Sequence, residues 1–346
     1  MKALTLTEYK KFEFGEAPDP ETGPGDVLIR VRACGICGSD VHGMDGSSGR
    51  RIPPVIMGHE ASGVVESVGP DVTAWKKGDR VTFDSMIYCG ECDFCKNGRT
   101  NLCDHRMVMG VSCGDYRRHG AFAELVTIPG RLLFRIPDNV TFEQAAFVEP
   151  VSVALHAVNR VPVQKGDTAV VVGAGMIGLL VMQALRIAGA VTIICVDLDK
   201  QRLDLARQLG ADHCFHSTDD DVAAEVLKLT NGVGADVAME VVGITPTIQT
   251  AVKCLRLGGS LGCVGNIAQT VDFPLQAVVT RELSVFGTCG ATAEPPEALR
   301  HIAEGSINVG PLTSAIAPLE EGGAWFERLY AGNENLMKVI LTPTVS

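Results

Sequence analysis

Thr168 to Leu185 is eighteen residues without a formal charge. That is the length of a bilayer-spanning helix. Gly173, Gly175 and Gly178 interrupt it, however, and Arg186 ends it. The apolarity reads better as a buried strand, Ala169-Val170-Val171-Val172, running into a buried helix. Ile177, Leu180, Val181, Ala184, Leu185 and Ala188 share one face of that helix. Between strand and helix lies Gly173-Ala174-Gly175-Met176-Ile177-Gly178, and Asp197 ends the next strand 19 residues after Gly178. This context turns a weak glycine pattern into a dinucleotide fingerprint. Gly173 makes the tight turn, Gly175 lets the backbone approach the pyrophosphate, and Gly178 lets helix and strand pack closely. The helix N-terminus offers amide donors to the phosphates. Asp197 would accept hydrogen bonds from the adenosine ribose and repel a 2′-phosphate, which favours NAD. Arg202 keeps NADP open as the competing reading.

The surrounding chain fits a doubly wound sheet. From 165 to 290, strand-like runs (Val191–Val196, Asp236–Glu240, Ser260–Val264, Leu283–Gly287) alternate with helical ones (Asp199–Leu209, and a helix capped by Thr245 with Pro246 at its first position). Such alternation predicts a parallel sheet covered on both faces. Residues 1–150 differ. Short strands near Val27–Arg32, Gly63–Val68 and Asp79–Phe83 stand between Gly/Pro turns, which predicts a small β-barrel or sandwich. After 290 come one helix, Pro295–Glu304, and a final strand, Lys338–Leu341. The expected organisation is an α/β protein. Its β-rich catalytic domain comprises 1–155 and 291–346, with a Rossmann domain at 156–290 inserted within it.

The cysteines carry the second signal. Cys89, Cys92, Cys95 and Cys103 lie within fifteen residues of each other, among Glu91, Asp93, Lys96, Asn97 and Gly98. Four thiolates so spaced match a closed structural zinc site, in a loop with little core of its own. The competing readings are two disulfides, disfavoured in a reducing compartment, and free thiols. A third constellation is dispersed: Cys37, His59-Glu60 and Glu149. Glu149 lies in the apolar run Ala145–Pro150, where an unpaired carboxylate is costly. Cys, His and Glu with an open position form a catalytic zinc set that stabilises negative charge on a substrate oxygen.

Composition removes other classes of function. The chain of 346 residues has 30 Lys+Arg against 41 Asp+Glu, a formal net charge of −11, and 5% aromatic residues. It lacks the basic footprint of a nucleic-acid binder and the polybasic stretch that seeks an anionic membrane. Met1–Lys11 has no apolar core followed by a cleavage site, so the expected location is cytoplasmic.

Gly35-Ile36-Cys37-Gly38-Ser39-Asp40, Gly58-His59-Glu60, the four-cysteine lobe, Glu149-Pro150 and the glycine fingerprint occur in the order seen in zinc-dependent medium-chain alcohol dehydrogenases. The chain resembles that family along essentially its whole length. Glu149 stands where ordinary members have a third cysteine ligand, as in the polyol (sorbitol-type) and threonine dehydrogenase branches. The resemblance implies a GroES-like catalytic domain, two zinc ions per chain, NAD and a homotetramer, with a dimer as the alternative. It implies Cys37 and His59 as ligands of the catalytic zinc, with Glu60 and Glu149 both facing it, one ligating and one orienting water. Ser39 and His42 match a proton relay, against the alternative that His42 is an ordinary surface histidine. Ile177, the Val264-Gly265-Asn266 turn and Thr288 of the Thr288-Cys289-Gly290 turn match further cofactor contacts.

Two departures bear on the substrate. The Arg-Tyr pair of sorbitol-type enzymes is replaced by Gly290-Ala291, and Gly43-Met44 follow His42 where that branch has an aromatic residue. Arg50-Arg51 and Arg117-Arg118 could bind a substrate phosphate or carboxylate, or be solvated loop charges. The expected function is zinc- and NAD-dependent oxidation of a secondary alcohol of a polyol, sugar or sugar derivative to the ketone. Amino alcohols such as threonine, phosphorylated polyols, and a non-catalytic role on the same scaffold are the alternatives.

Overall fold

A computed structural model describes residues 1–113 and 116–343; the last three residues of the 291–346 segment lie outside them. The chain divides into two compact units, one of Met1–Glu149, Pro295–Glu304 and Val309–Ser346, the other of Pro150–Glu294 and Gly305–Asn308.

The first unit is built on a seven-stranded sheet. Its path runs Leu133–Arg135, Arg80–Phe83, Glu60–Val68, Asp26–Gly35, Lys338–Thr342 and Thr313–Pro318, with Leu125–Pro129 also pairing with Asp26–Gly35. Asp26–Gly35 alternates buried and half-buried residues, as a strand with one face on a core must. Its far end takes the last strand of the chain in the register Ile340↔Gly35 and Leu341↔Cys34. Its other edge takes Glu60 opposite Gly35. Three distant segments therefore converge at Gly35. Val27, Ile29 and Val31 pack into one core with Phe122 and Phe326, whose rings meet edge to face at 5.7 Å between centroids.

The second unit holds six parallel strands in the spatial order His213–His216, Thr192–Asp197, Thr168–Val172, Ala235–Glu240, Leu255–Cys263 and Ser284–Gly287. The uncharged segment divides as its glycines predict, into the strand Thr168–Val172 and the helix Met176–Ala188. Among the described residues no helix is long and apolar enough to cross a membrane. Asp199 caps Lys200–Gln208, accepting from the backbone N–H of Gln201 and Arg202. The helix expected to be capped by Thr245 instead starts on it, with Ile244 in the capping position. The Thr245 hydroxyl is engaged elsewhere, accepting from Asp272 N at 2.9 Å. The strand His213–His216, the helix Val222–Leu229 and the helix Val148–Asn159 were not legible in the sequence. The last has Pro150 in its first turn, where proline is tolerated but reads as a break.

A Cβ added at Gly178 would lie 1.8 Å from the Gly173 carbonyl oxygen. Gly178→Ala should therefore destabilise the second unit by roughly 2–4 kcal/mol. Thermal unfolding followed by circular dichroism, together with loss of cofactor binding, checks this; a variant with parent-like melting and binding would show that the loop has room to yield.

Candidate metal centres and cofactor crevice

Cys37, His59 and Glu60 bring one ligand atom each to within 4.8 Å of one another. Cys37 immediately precedes the short helix Gly38–Gly43, and His59 and Glu60 sit at the start of Glu60–Val68. Glu149, at the first turn of Val148–Asn159, is not part of that group but is close enough to feel the charges of His59 and Glu60.

His59 and Glu60 are each held from behind. His59 is buried, with Nδ1 3.5 Å from Asp40 Oδ2. Burial disfavours its charged ring, but the negative charges of Asp40 and Cys37 outweigh that and hold its pKa well above the usual histidine value. A cation at the ring's other nitrogen would relieve the same field. Asp40 is itself buried, and its Oδ1 accepts from Arg51 Nε at 3.1 Å and Nη2 at 2.8 Å. Burial opposes its charge, and His59 and Arg51 together still hold its carboxyl far below the usual range. Glu60 Oε2 accepts from Lys338 Nζ at 2.5 Å, and Lys338 also donates to Ile36 O at 3.0 Å. Both Lys338 and Glu60 are 1% exposed. A Cβ at Gly35 would lie 2.4 Å from Glu60 Oε2 and 3.2 Å from Lys338 Cδ, so glycine leaves the gap in which the pair meets.

Two observations fit a divalent ion to this donor set. Glu60 Oε1 is buried without a hydrogen-bond partner among the described residues, a costly state. The acidic groups Cys37, Asp40, Glu60 and Glu149 also crowd together around only two side chains of fixed positive charge, Arg51 and Lys338. Cys/His/carboxylate donors with a position open are the zinc pattern.

The second cluster is Cys89, Cys92, Cys95 and Cys103, whose sulfurs also fall within 4.8 Å of one another. Cys89 Sγ lies 3.9 Å from Cys95 Sγ and 3.6 Å from Cys103 Sγ. Tetrahedral zinc with Zn–S of about 2.3 Å separates its sulfurs by about 3.8 Å, whereas a disulfide closes to about 2.05 Å. Among the described residues no cysteine is in a disulfide. Backbone N–H groups of Glu91 and Cys92 point at Cys89 Sγ and lower its pKa to about 6, preparing the thiolate that a metal takes. The lobe's helix, Asp93–Lys96, buries no residue, so a metal is the staple it lacks.

In the second unit, Gly173 adopts φ +104°, a conformation that favours glycine. Gly175 occupies the N-cap of Met176–Ala188, with Ile177 and Gly178 in its first turn. Asp197 ends its strand with Oδ2 accepting from Ala174 N at 2.6 Å and Oδ1 from Asp199 N at 2.9 Å, so it braces the glycine loop. Arg202 reaches over that loop: its Nη1 lies 4.0 Å from where a Gly175 Cβ would stand. Val264, Gly265 and Asn266 form the turn after Leu255–Cys263, and Thr288 follows Ser284–Gly287 with its hydroxyl buried and unpartnered.

Ser39 and His42 are three residues apart on Gly38–Gly43 and both are exposed. Ser39 Oγ lies 3.3 Å from Cys37 Sγ and accepts from Arg51 Nη2 at 3.4 Å. Arg51 thus fits neither reading of the basic pairs: it is 4% exposed and bound to Asp40. Arg117 donates to the carbonyls of Pro53 and Pro54, and Arg118 to that of Thr127. Sequence reasoning missed Lys338, Arg51 in its true role, and Gly35.

Glu149 yields a test. Burial, reinforced by Glu60, pushes its carboxyl up to about 7 from 4.5, against the opposing charges of His59 and Lys338. A raised carboxyl contributes its full stability below about pH 4.5 and loses it as pH rises through about 7. Chelator-treated protein should therefore melt lower at about pH 8 than at about pH 5.5, and Glu149→Gln should flatten that slope. Differential scanning calorimetry at both pH values reads this; an unchanged slope in the variant would place the titration elsewhere.

Residues 23–138 match the family model of the alcohol dehydrogenase GroES-like domain, and residues 177–304 that of the zinc-binding dehydrogenase domain. Over 348 residues the chain is 33% identical to a sorbitol dehydrogenase of Bacillus subtilis (strain 168), covering 99% of this chain and 97% of that protein. It is 37% identical over 300 residues to an L-idonate 5-dehydrogenase of Vitis vinifera, covering 85% and 81%. A solved zinc-binding dehydrogenase of Sinorhizobium meliloti 1021, bound to NADP, superposes with a TM-score of 0.90 at 31% identity over 99% of each chain. The chain belongs to the zinc-dependent medium-chain polyol dehydrogenase family, oxidoreductases that act on a CH–OH group with a nicotinamide cofactor.

Proposed function

We propose that this protein oxidises a secondary hydroxyl of a neutral polyol or sugar to the ketone, and runs the reverse reduction, with NAD as the hydride acceptor. The observation that carries the reading is the convergence of Cys37, His59 and Glu60 with an excess of buried negative charge. Zinc, when bound there, supplies the positive charge that makes a substrate hydroxyl acidic, and NAD supplies the redox chemistry. The chain's own residues do the rest. Cys37 and His59 hold the ion with one of Glu60 and Glu149, and the other glutamate orients water. Asp40 fixes the His59 ring, a common arrangement behind metal-ligating histidines. Ser39 accepts the hydroxyl proton, and His42, exposed on the same helix, passes it to solvent. The alcohol carbon loses a hydride and its oxygen a proton, which balances the ketone.

A neutral substrate is favoured because Arg51, Arg117 and Arg118 are already engaged within the chain. The domain reading is 1–155 with 291–346 as the catalytic domain and 156–290 as the cofactor domain. The four-cysteine lobe is read as structural zinc. A homotetramer in the cytoplasm completes the proposal. Association is supported by the edge strand Ser284–Gly287, whose Val285 is 43% exposed, since an uncovered apolar sheet edge invites pairing.

NADH formation from NAD across polyols, sugars, sugar phosphates, simple alcohols and threonine, with and without chelator, tests the reading. Cys37→Ser should lower turnover by about 10³-fold, equivalent to about 4 kcal/mol of barrier, while NADH binding persists. A fully active variant would sink the zinc role. Asp197 bears on the cofactor. Its carboxylate stands at the strand end where a 2′-phosphate would meet its charge. Asp197→Ser should shift the NAD/NADP ratio of kcat/KM toward NADP by roughly tenfold, about 1.4 kcal/mol. A parent that prefers NADP, or an unmoved ratio, would count against NAD.

A further inference from the structure

The strand order of the second unit leaves a switch point between Thr168–Val172 and Ala235–Glu240, where Val172 and Glu240 are paired in register. Open parallel sheets take their ligand outside the strand ends at such a point. Glu240 is the last residue of its strand there, and it is completely buried. Its carboxylate has no partner of opposite charge among the described residues. Oε1 accepts from Val242 N at 2.9 Å and Gly243 N at 2.7 Å. Oε2 is buried with no hydrogen-bond partner. A carboxylate kept under these terms costs stability, and local rules are broken in this way where function requires it.

Its bonds indicate the function. Besides holding Val242 and Gly243 by its side chain, Glu240 holds Val264 N at 2.8 Å and Gly265 N at 3.1 Å by its main-chain oxygen. One residue thus ties down the loops that follow two neighbouring strands. Those loops are nested without slack. A Cβ at Gly243 would lie 2.3 Å from Asn266 N, and one at Gly265 would lie 2.2 Å from Gly243 N. On the other side, a Cβ at Gly173 would lie 2.6 Å from Val242 Cγ2. The loop that Glu240 shapes is therefore wedged between the glycine loop and the 264–266 turn.

From this geometry we infer that Glu240 is a positioning residue for the nicotinamide cofactor: it sets the spacing of the glycine loop and the 264–266 turn, and hence cofactor affinity, without touching the cofactor. The inference rests on the reading of this crevice as the cofactor site. It explains why a carboxylate is retained at a strand end where an apolar side chain would be less costly. Its side chain supplies the acceptor for both Val242 and Gly243, and without it the wedge loses that anchor.

The test is binding, read on the full-length zinc-loaded chain by NADH fluorescence, with AMP as a ligand that needs only the adenosine side. Glu240→Ala should weaken NADH roughly tenfold or more, because small misplacements of a binding frame are expensive. AMP affinity should stay within about threefold, and zinc content should match the parent. Glu240→Gln keeps an oxygen for Val242 and Gly243 and should restore NADH affinity to within about threefold. If the alanine variant does not fold, Glu240→Asp decides: it withdraws the acceptor by one methylene and should weaken NADH by roughly fivefold. Parent-like NADH affinity in a folded Ala or Asp variant would overturn the inference, as would equal losses for NADH and AMP, which mean general collapse. A parent chain that binds no nicotinamide cofactor is a separate result, and it defeats the cofactor reading itself.

Discussion

Buried carboxylates are the constraint on which the first unit is organised. Asp40 and Glu60 lie almost wholly out of water, and each is held by one buried cation, Arg51 and Lys338. Removing one partner of such a pair leaves an uncompensated charge at a cost of about 3–5 kcal/mol. Lys338 stands 278 residues from Glu60 in the chain. It arrives there because the final strand pairs with Asp26–Gly35 beside Glu60. The Cys37, His59 and Glu60 cluster therefore depends on the strand Lys338–Thr342, although the second unit's residues intervene in sequence. Gly35 links the two requirements, because any side chain at that point would occupy the space in which the ion pair forms.

The two metal-type clusters face different physical problems. The four-cysteine lobe has almost no apolar interior, and its helix Asp93–Lys96 buries nothing. Its donors lie on one short stretch of chain, and backbone N–H groups already stabilise the Cys89 thiolate. Its metal would replace a core. The Cys37/His59/Glu60 centre lies in a well-packed unit whose core residues are nearly all inaccessible. There a metal would balance charge rather than supply structure.

What could be read from the sequence follows from the range of the interactions. The glycine loop, its strand and helix, and the acid at 197 sit within some thirty residues, so one local pattern specifies them. The cysteine lobe is equally local. Cys37, His59 and Glu149 were legible as a dispersed set only through their order along the chain. Lys338 was not legible: a lysine beginning the final strand looks like an ordinary exposed charge until the pairing register is known. Arg51 was misread for the same reason, since nothing local reveals that Asp40 waits behind it. Glu240 gave no signal, because a carboxylate at a strand end is unremarkable until its burial and its paired N–H donors are seen. The strand His213–His216 escaped because all four residues are only half-buried, which erases the alternation that marks a strand.

The engaged arginines also bear on the substrate. A phosphorylated substrate needs a cation with donors to spare, and a bidentate guanidinium is the usual device. Arg51 gives Nε and Nη2 to Asp40 and Nη1 to the Arg50 carbonyl. Arg117 and Arg118 bond backbone carbonyls. Of the two basic pairs, Arg50 is exposed and its side chain has no hydrogen bond among the described residues. Ser39 and His42 are exposed on the short helix that follows Cys37, and a hydroxyl and an imidazole can form hydrogen bonds with an alcohol. On the proposed reading, a centre whose buried cations Arg51 and Lys338 are committed to its own carboxylates would take an uncharged alcohol in preference to a phosphate. Its selectivity among alcohols then falls to the shape of the walls rather than to charge.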